Sequence, residues 1–355
     1  MVIEYDPSAS VFRTLCSWTG TILQLVLCKP MIYVLLAMHA LFIVADFLLW
    51  RYHTNWEADA DGWQSGTRQL PKLSWSAGAL ATSLLVFFIV FYGSQSYSRF
   101  YALYGHCIGL GGATMEWTAL VKLHLIQEPA ARWNAVRFIL AAMHIMYFGL
   151  REVGAVAGID DEEWATIRNR QLLTDGEIST LKNYKGYLPF LPVQWAMLEA
   201  EKQLLMEDPT DSKSETLLHQ QLQEKAFAFR GHCGQITNLL KQPVPFPYFH
   251  VLNLMIVVTL TLVAYMLVPM GIWPLTMIIQ FVASLVLLGL KEVAVCLADP
   301  FGDDAVDFNV DTFLLAAYKN AIANLNDDHA PHGSTMPSEI TNPIKGNASL
   351  ARKSV

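Results

Sequence analysis

Met31 to Trp50 reads MIYVLLAMHALFIVADFLLW, twenty residues interrupted only by His39 and Asp46. A helix of that length rises about 30 Å, the thickness of a bilayer's hydrocarbon core. Pro30, just ahead of the run, suits the first turn of such a helix. Three further apolar runs follow the same logic. Ala77 to Tyr92 continues into Gln95, Ser96, Ser98 and Arg99, while Val251–Met270 and Trp273–Leu290 are separated only by a tight turn at Gly271 and Ile272. The expected spans are therefore about 31–50, 77–98, 251–270 and 273–292. Phe138–Leu150 is too short to cross and reads as a buried helix.

Composition supports lipid as part of the solvent. Of 355 residues, 53% are hydrophobic and 15% charged, against roughly 25% charged in soluble domains. Ten Trp and thirteen Tyr suit a chain with membrane–water interfaces to anchor. The formal net charge of −7 gives no basic field, so nucleic acid is not an expected partner. Five scattered cysteines without a CxxC do not form a disulfide framework. Met1 to Ser10 is polar and acidic, so no secretory signal peptide is expected.

Between Gly93 and His250 the chain is moderately charged and mostly helical in pattern, with amphipathic stretches at Ala130–Leu150 and Glu215–Leu240. Thr174, with Glu177 three residues on, reads as a capped helix start. Residues 326–355 lack periodicity and read as a disordered tail, leaving 1–325 as the folded domain. The Lys and Arg of the long middle segment favour a cytoplasmic location for it and for both termini. The fold class is all-α: four transmembrane helices plus a helical cytoplasmic body.

The chemistry-bearing segment is Asp299-Pro300-Phe301-Gly302-Asp303-Asp304, closed by Asp307-Phe308, at the end of the last apolar run. Carboxylates crowded at the mouth of a membrane helix are costly unless a cation neutralises them, and hard cations such as Ca²⁺ take oxygen ligands of this kind. The spacing is not that of an EF-hand. A helix N-terminus, with Asp303 and Asp304 favoured by the macrodipole, is the competing reading. His39 and Asp46, seven apart on one face of the first span, are intramembrane ionisable groups; hydrogen bonds across helices are the expected role. His106, His124, His144, His219, His232 and His250 form no metal-spaced pair in sequence. The chain has no HExxH, no phosphate-binding Gly loop and no nucleophile elbow, so an enzyme is not expected.

Several segments resemble the bestrophins, a family of anion channels. Met1-Val2-Ile3-Glu4-Tyr5 and Trp18-Thr19-Gly20-Thr21-Ile22 are similar to its amino-terminal segment, and Ser96-Tyr97-Ser98-Arg99-Phe100-Tyr101 to its Ser-Tyr-x-Arg-aromatic motif. Cys233-Gly234 followed by Val244-Pro245-Phe246-Pro247-Tyr248 resembles the entry to its third span. The acidic loop resembles its Asn-Pro-Phe-Gly-Glu-Asp signature. The order of these motifs spans about residues 1–320.

The resemblance implies a homopentamer with one central pore lined by the second spans. It places the pore neck at Ser83, Phe87 and Phe91, spaced i, i+4, i+8 on one helical stripe. Ser83 stands where the family carries an apolar residue, which implies a shorter or wetter neck. A cytoplasmic aperture falls at Leu217. A Ca²⁺ site falls on the side chains of Asp304 and Asp307 and the backbone carbonyls of Cys296, Asp299 and, from a neighbouring subunit, Ser10. Asp299 replaces the usual Asn, and Ala305-Val306 replace two acids. The competing reading makes Phe87, Phe88 and Phe91 helix-packing or lipid-facing residues and has Leu217 simply pack its amphipathic helix.

The expected function is a chloride channel, with bicarbonate as a second permeant anion, activated or primed by Ca²⁺. The alternative is a helical membrane scaffold or regulatory subunit with a structural acidic loop and no conduction. The expected partners are four further copies of the chain, the bilayer and small inorganic anions. The expected location is the surface membrane, with a photosynthetic or other internal membrane as the alternative.

Overall fold

The computed structural model describes residue 18 and residues 20–57, 73–125, 129–150, 159–204, 212–302 and 307–326. In chain order the helices are α1 (Ile22–Leu27), α2 (Pro30–Glu57), α3 (Trp75–His124), α4 (Pro129–Phe148), α5 (Asp161–Asn169), α6 (Asp175–Asn183), α7 (Phe190–Leu204), α8 (Ser212–Lys241), α9 (Phe246–Leu267), α10 (Trp273–Ala298) and α11 (Val310–Asn326). The described residues contain no strand. Among the described residues, four helices are long and apolar enough to cross a membrane: residues 30–49 of α2, the first part of α3, α9 with the 3₁₀ turn to Met270, and α10.

Local chemistry sets the joints. Pro245 and Pro247 open α9, and Pro274 opens α10, where a missing N–H costs nothing. The turn between α9 and α10 closes on Gly271 at φ 74°, the left-handed region that glycine enters without strain. Beyond Ala298, Pro300 has no N–H to continue α10. In the body, the Thr174–Glu177 capping box forms as the sequence predicts, and Asp160–Glu163 makes a second one that the pattern did not announce.

The second apolar run is the largest departure. A span ending near residue 98 was expected. Instead α3 continues without a break to His124, fifty residues in all, about 75 Å at the α-helical rise. No proline lies between Pro71 and Pro129, so nothing interrupts the backbone when the side chains turn polar at Ser94–Arg99.

The described residues form two apolar cores, and α3 contributes to both. In the membrane half, Leu85, Ile89 and Tyr92 pack with Ile32 and Leu35 of α2, Leu252 and Ile256 of α9 and Leu288 of α10. In the body, Leu103, Leu110, Trp117 and Val121 of α3 pack with Ile139 and Tyr147 of α4, Phe229 and Ile236 of α8 and Leu314 of α11. Phe138–Tyr147 is buried in that body core, as a short apolar run should be. Arg137 fixes α6 on α4 through a two-pronged ion pair to Glu177, with both N–O distances 2.8 Å. Burial pushes the Glu177 carboxyl up, but Arg137 and the Thr174 backbone outweigh it and hold it below its ordinary value.

Candidate functional site

In its membrane half α3 has two unlike faces. Leu85, Ile89, Tyr92 and Ser96 are buried against the chain's own α9 and α10. Two residues of offset turn a helix by about 200°, so Ser83, Phe87 and Phe91 lie on the opposite side. All three are exposed in the single chain, Phe87 by 65% and Phe91 by 45%. Phe91 keeps a partial contact with Tyr248, at 5.5 Å between rings, whereas Phe88 turns inward onto the same Tyr248 at 5.3 Å. The stripe continues through exposed Ser94 and Ser98, small polar groups below an aromatic level. Leu217, near the start of α8, is also exposed, by 57%. The Leu217 side chain therefore does not serve the chain's own core.

The segment after α10 folds back on itself. The Phe308 N–H donates to the Pro300 carbonyl at 2.9 Å, and Phe301, Phe308, Phe313 and Tyr147 wedge together at ring distances of 5.4–6.4 Å. Asp307 is only 5% exposed, and a Cβ on Gly302 would stand 3.1 Å from its Oδ2. Asp307 lies in a bend three residues before α11 begins at Val310. Asp304 and Ser10 lie outside the described residues. Cys296 sits in the last turn of α10 and Asp299 caps it.

A carboxylate at a helix C-terminus meets the negative end of the macrodipole. Asp299 and buried Asp307 therefore make this loop a place that favours a cation. One is present: Arg99 is within electrostatic reach of Asp299. The donor set here of carboxylates and end-of-helix carbonyls suits Ca²⁺. Among the described residues, no group of three or more His, Cys, Asp or Glu side chains converges on a metal position.

Arg99 does a second thing that its motif did not disclose. Its guanidinium donates to the Gln242 carbonyl at 2.6 Å and the Leu240 carbonyl at 3.2 Å. These are end-of-helix acceptors of α8, where a cation is favoured. Arg99 thus ties the middle of α3 to the end of α8 and to the acidic loop.

Two other contacts had no sequence signal. Glu292 of α10 is buried and pairs with Lys29, before α2, and with Lys291 at 2.9 Å. His106 and His232, 126 residues apart, face each other across α3 and α8. His39 has the role expected of it: the ring is buried, and its Nδ1 donates across to the Ala264 carbonyl of α9 at 2.8 Å.

Four apolar helices on a helical body define an integral membrane protein. The chain matches the family described as bacterial/fungal bestrophin protein over residues 1–322 and belongs to it, a family of anion channels. Its fold is similar to that of a point variant of a bacterial bestrophin homologue from Klebsiella pneumoniae, with TM-score 0.67 and 18% identity over 84% of this chain and 100% of that one. A second variant of that homologue gives TM-score 0.65 at the same identity and coverage. A further structure, described as a membrane protein, gives 0.66, again at 18% identity over 84% and 100%. At that identity the likeness speaks to the fold alone. Among curated proteins, no relative matches.

Proposed function

We propose that this protein is a chloride-conducting channel, assembled as a homopentamer with α3 at the axis, and that Ca²⁺ at the acidic loop primes it. The observation that carries the reading is the exposed face of α3. In one chain it leaves Ser83, Phe87 and Phe91 exposed, while Leu85, Ile89 and Tyr92 on the opposite face are packed. Five such faces around an axis stack into a narrow apolar neck. A constriction of that kind gates by dewetting, and aromatic edges carry partial positive charge that faces an anion without trapping it. Bicarbonate fits the same description. Ser83 leaves the outer ring of the neck small and hydrated. Leu217 supplies a second apolar ring at the cytoplasmic exit.

The cation site uses the Asp304 and Asp307 carboxylates with the carbonyls of Cys296, Asp299 and a neighbouring subunit's Ser10. Ca²⁺ there adds positive charge beside Asp299, the group that Arg99 faces. Arg99 in turn holds the end of α8 and sits on α3, so occupancy is felt by both helices that carry the constrictions.

Single-channel recording of purified protein in lipid bilayers tests the reading. Chloride currents should appear, and Phe87→Ala with Phe91→Ala should raise leak conductance or relax gating. Phe87 is exposed in the subunit, so its truncation opens no internal cavity and the variant should keep its fold. Currents unchanged in the double variant return the stripe to a packing role. A monomer or dimer as the sole stable species by mass measurement in detergent removes the pentameric axis altogether.

A further inference from the structure

His106 lies on the body half of α3 and His232 on α8, and both are half-buried. Their two Nδ1 nitrogens are within hydrogen-bond distance, 3.2 Å apart, with the rings tilted by 53° instead of stacked. We infer that these two nitrogens are the protein ligands of a divalent transition-metal site, zinc being the biological case, that clamps α3 to α8.

The bite distance is the first argument. Two Zn–N bonds of about 2.0–2.1 Å meeting at a tetrahedral angle set their nitrogens about 3.3–3.4 Å apart. The observed separation already matches, so no helix has to move to admit the ion. Imidazole is also the ligand that zinc, copper and nickel favour.

The second argument is how the pair is held. Gly109 is one turn beyond His106 on the same face of α3. A Cβ there would come within 2.3 Å of the His232 ring. The missing side chain is what lets the ring lie against α3 and reach His106. Both helices are anchored in the body core on either side, through Leu103, Cys107 and Leu110 on α3 and Phe229, Cys233 and Ile236 on α8. The nitrogens are therefore fixed by rigid elements.

No third His, Cys, Asp or Glu joins the pair among the described residues. Two coordination positions therefore remain for water or an exogenous ligand, and the site is a labile one. It is separate from the acidic loop in chemistry: two imidazoles select a borderline metal, whereas carboxylates and carbonyls select Ca²⁺.

The test uses the full-length protein in detergent, stripped with a chelator and held in excess Ca²⁺ so that the acidic loop is saturated. Zn²⁺ is titrated by calorimetry and by its effect on the melting temperature. One Zn²⁺ per chain and a rise in melting temperature are expected. His106→Gln and His232→Gln should each weaken binding by roughly tenfold or more, at least the loss seen when an outer-shell partner of a metal site is removed. His250→Gln should leave binding unchanged. A second measurement needs no variant: Zn²⁺ should protect His106 and His232 together from diethylpyrocarbonate, read by peptide mass. Equal binding in the wild type and both variants, or protection of neither ring, overturns the site. Neither result bears on whether the protein conducts chloride.

Discussion

Acidification should destabilise this protein through one buried ring. His144 of α4 has no solvent exposure. Its Nδ1 is 2.6 Å from the Leu140 carbonyl, and its Nε2 is 2.6 Å from a guanidinium nitrogen of Arg170. A carbonyl can only accept and a guanidinium can only donate, so the ring is neutral, with its proton on Nδ1. A second proton would have to sit on Nε2 against Arg170. Burial first, and then the Arg170 charge, push the ring's pKa down to about 4, and the Leu140 carbonyl offsets only part of this. The unfolded chain takes up the proton near pH 6.5. The folded pKa is the lower one, so the unfolded state binds more protons between these values. Stability is whole above about 6.5 and is lost as pH falls toward 4.

The full loss is on the order of 3 kcal/mol, and about 2 kcal/mol of it falls between pH 7 and pH 5. Domains of 150–250 residues move by about 2–4 °C per kcal/mol, so a shift of a few degrees is expected here. Tryptophan-fluorescence melts in detergent at pH 7 and pH 5 give the measurement, with His144→Gln as the comparison. Glutamine can still accept from Arg170 but does not titrate. Carboxylate effects, including Glu177 with Arg137, are common to both proteins and cancel in the difference. The wild type should lose a few degrees more than the variant over that interval. Equal losses refute the reasoning, because they would mean that His144 is not held neutral by this environment.

Arg99→Gln removes charged hydrogen bonds to Leu240 and Gln242, worth about 1.5–3 kcal/mol for charged partners; it should lower the melting temperature and alter the Ca²⁺ dependence of the currents, and a current–Ca²⁺ curve identical to wild type would separate α8 from the loop. Asp304→Asn should weaken Ca²⁺ binding, measured by calorimetry, more than Asp303→Asn does, since only the first removes a proposed ligand; equal weakening would make the loop a diffuse acidic patch. Thr174→Ala deletes the hydroxyl that caps α6 and should cost about 1 kcal/mol in a denaturant melt with conductance unchanged, because α6 lies in the body away from α3.

The membrane half of the fold was legible because hydrocarbon imposes a length: runs of about twenty apolar residues had one explanation, and the four helices fall on them. The length of α3 was not legible for a related reason. The change from Phe91 to Ser94 and Arg99 reports a change of surroundings, not of backbone, and a sequence without proline carries a helix through such a boundary unmarked. The Thr174 cap could be read because both its halves lie three residues apart. The Lys29–Glu292 pair and the His106–His232 pair could not, because their partners are brought together only by packing. The acidic loop was recognisable as a cation-favouring segment from composition. The packing of Phe301 on Phe308 beside Asp307 could not be read, because it is a tertiary feature.

The same continuity that hid the length of α3 gives it a functional meaning. A helix of fifty residues that shares one core with α9 and α10 and a second with α4 and α8 cannot shift in one half without disturbing the other. Packed interiors tolerate few intermediate arrangements, so a displacement at the level of Phe87 must be taken up at Arg99, where α8 and the acidic loop are attached. In the proposed reading, charge arriving at Asp299 and Asp307 would act on the neck through a rigid rod and not through a chain of soft contacts. The proposed neck would then need no ionisable group of its own, and none lies among Ser83, Phe87 and Phe91.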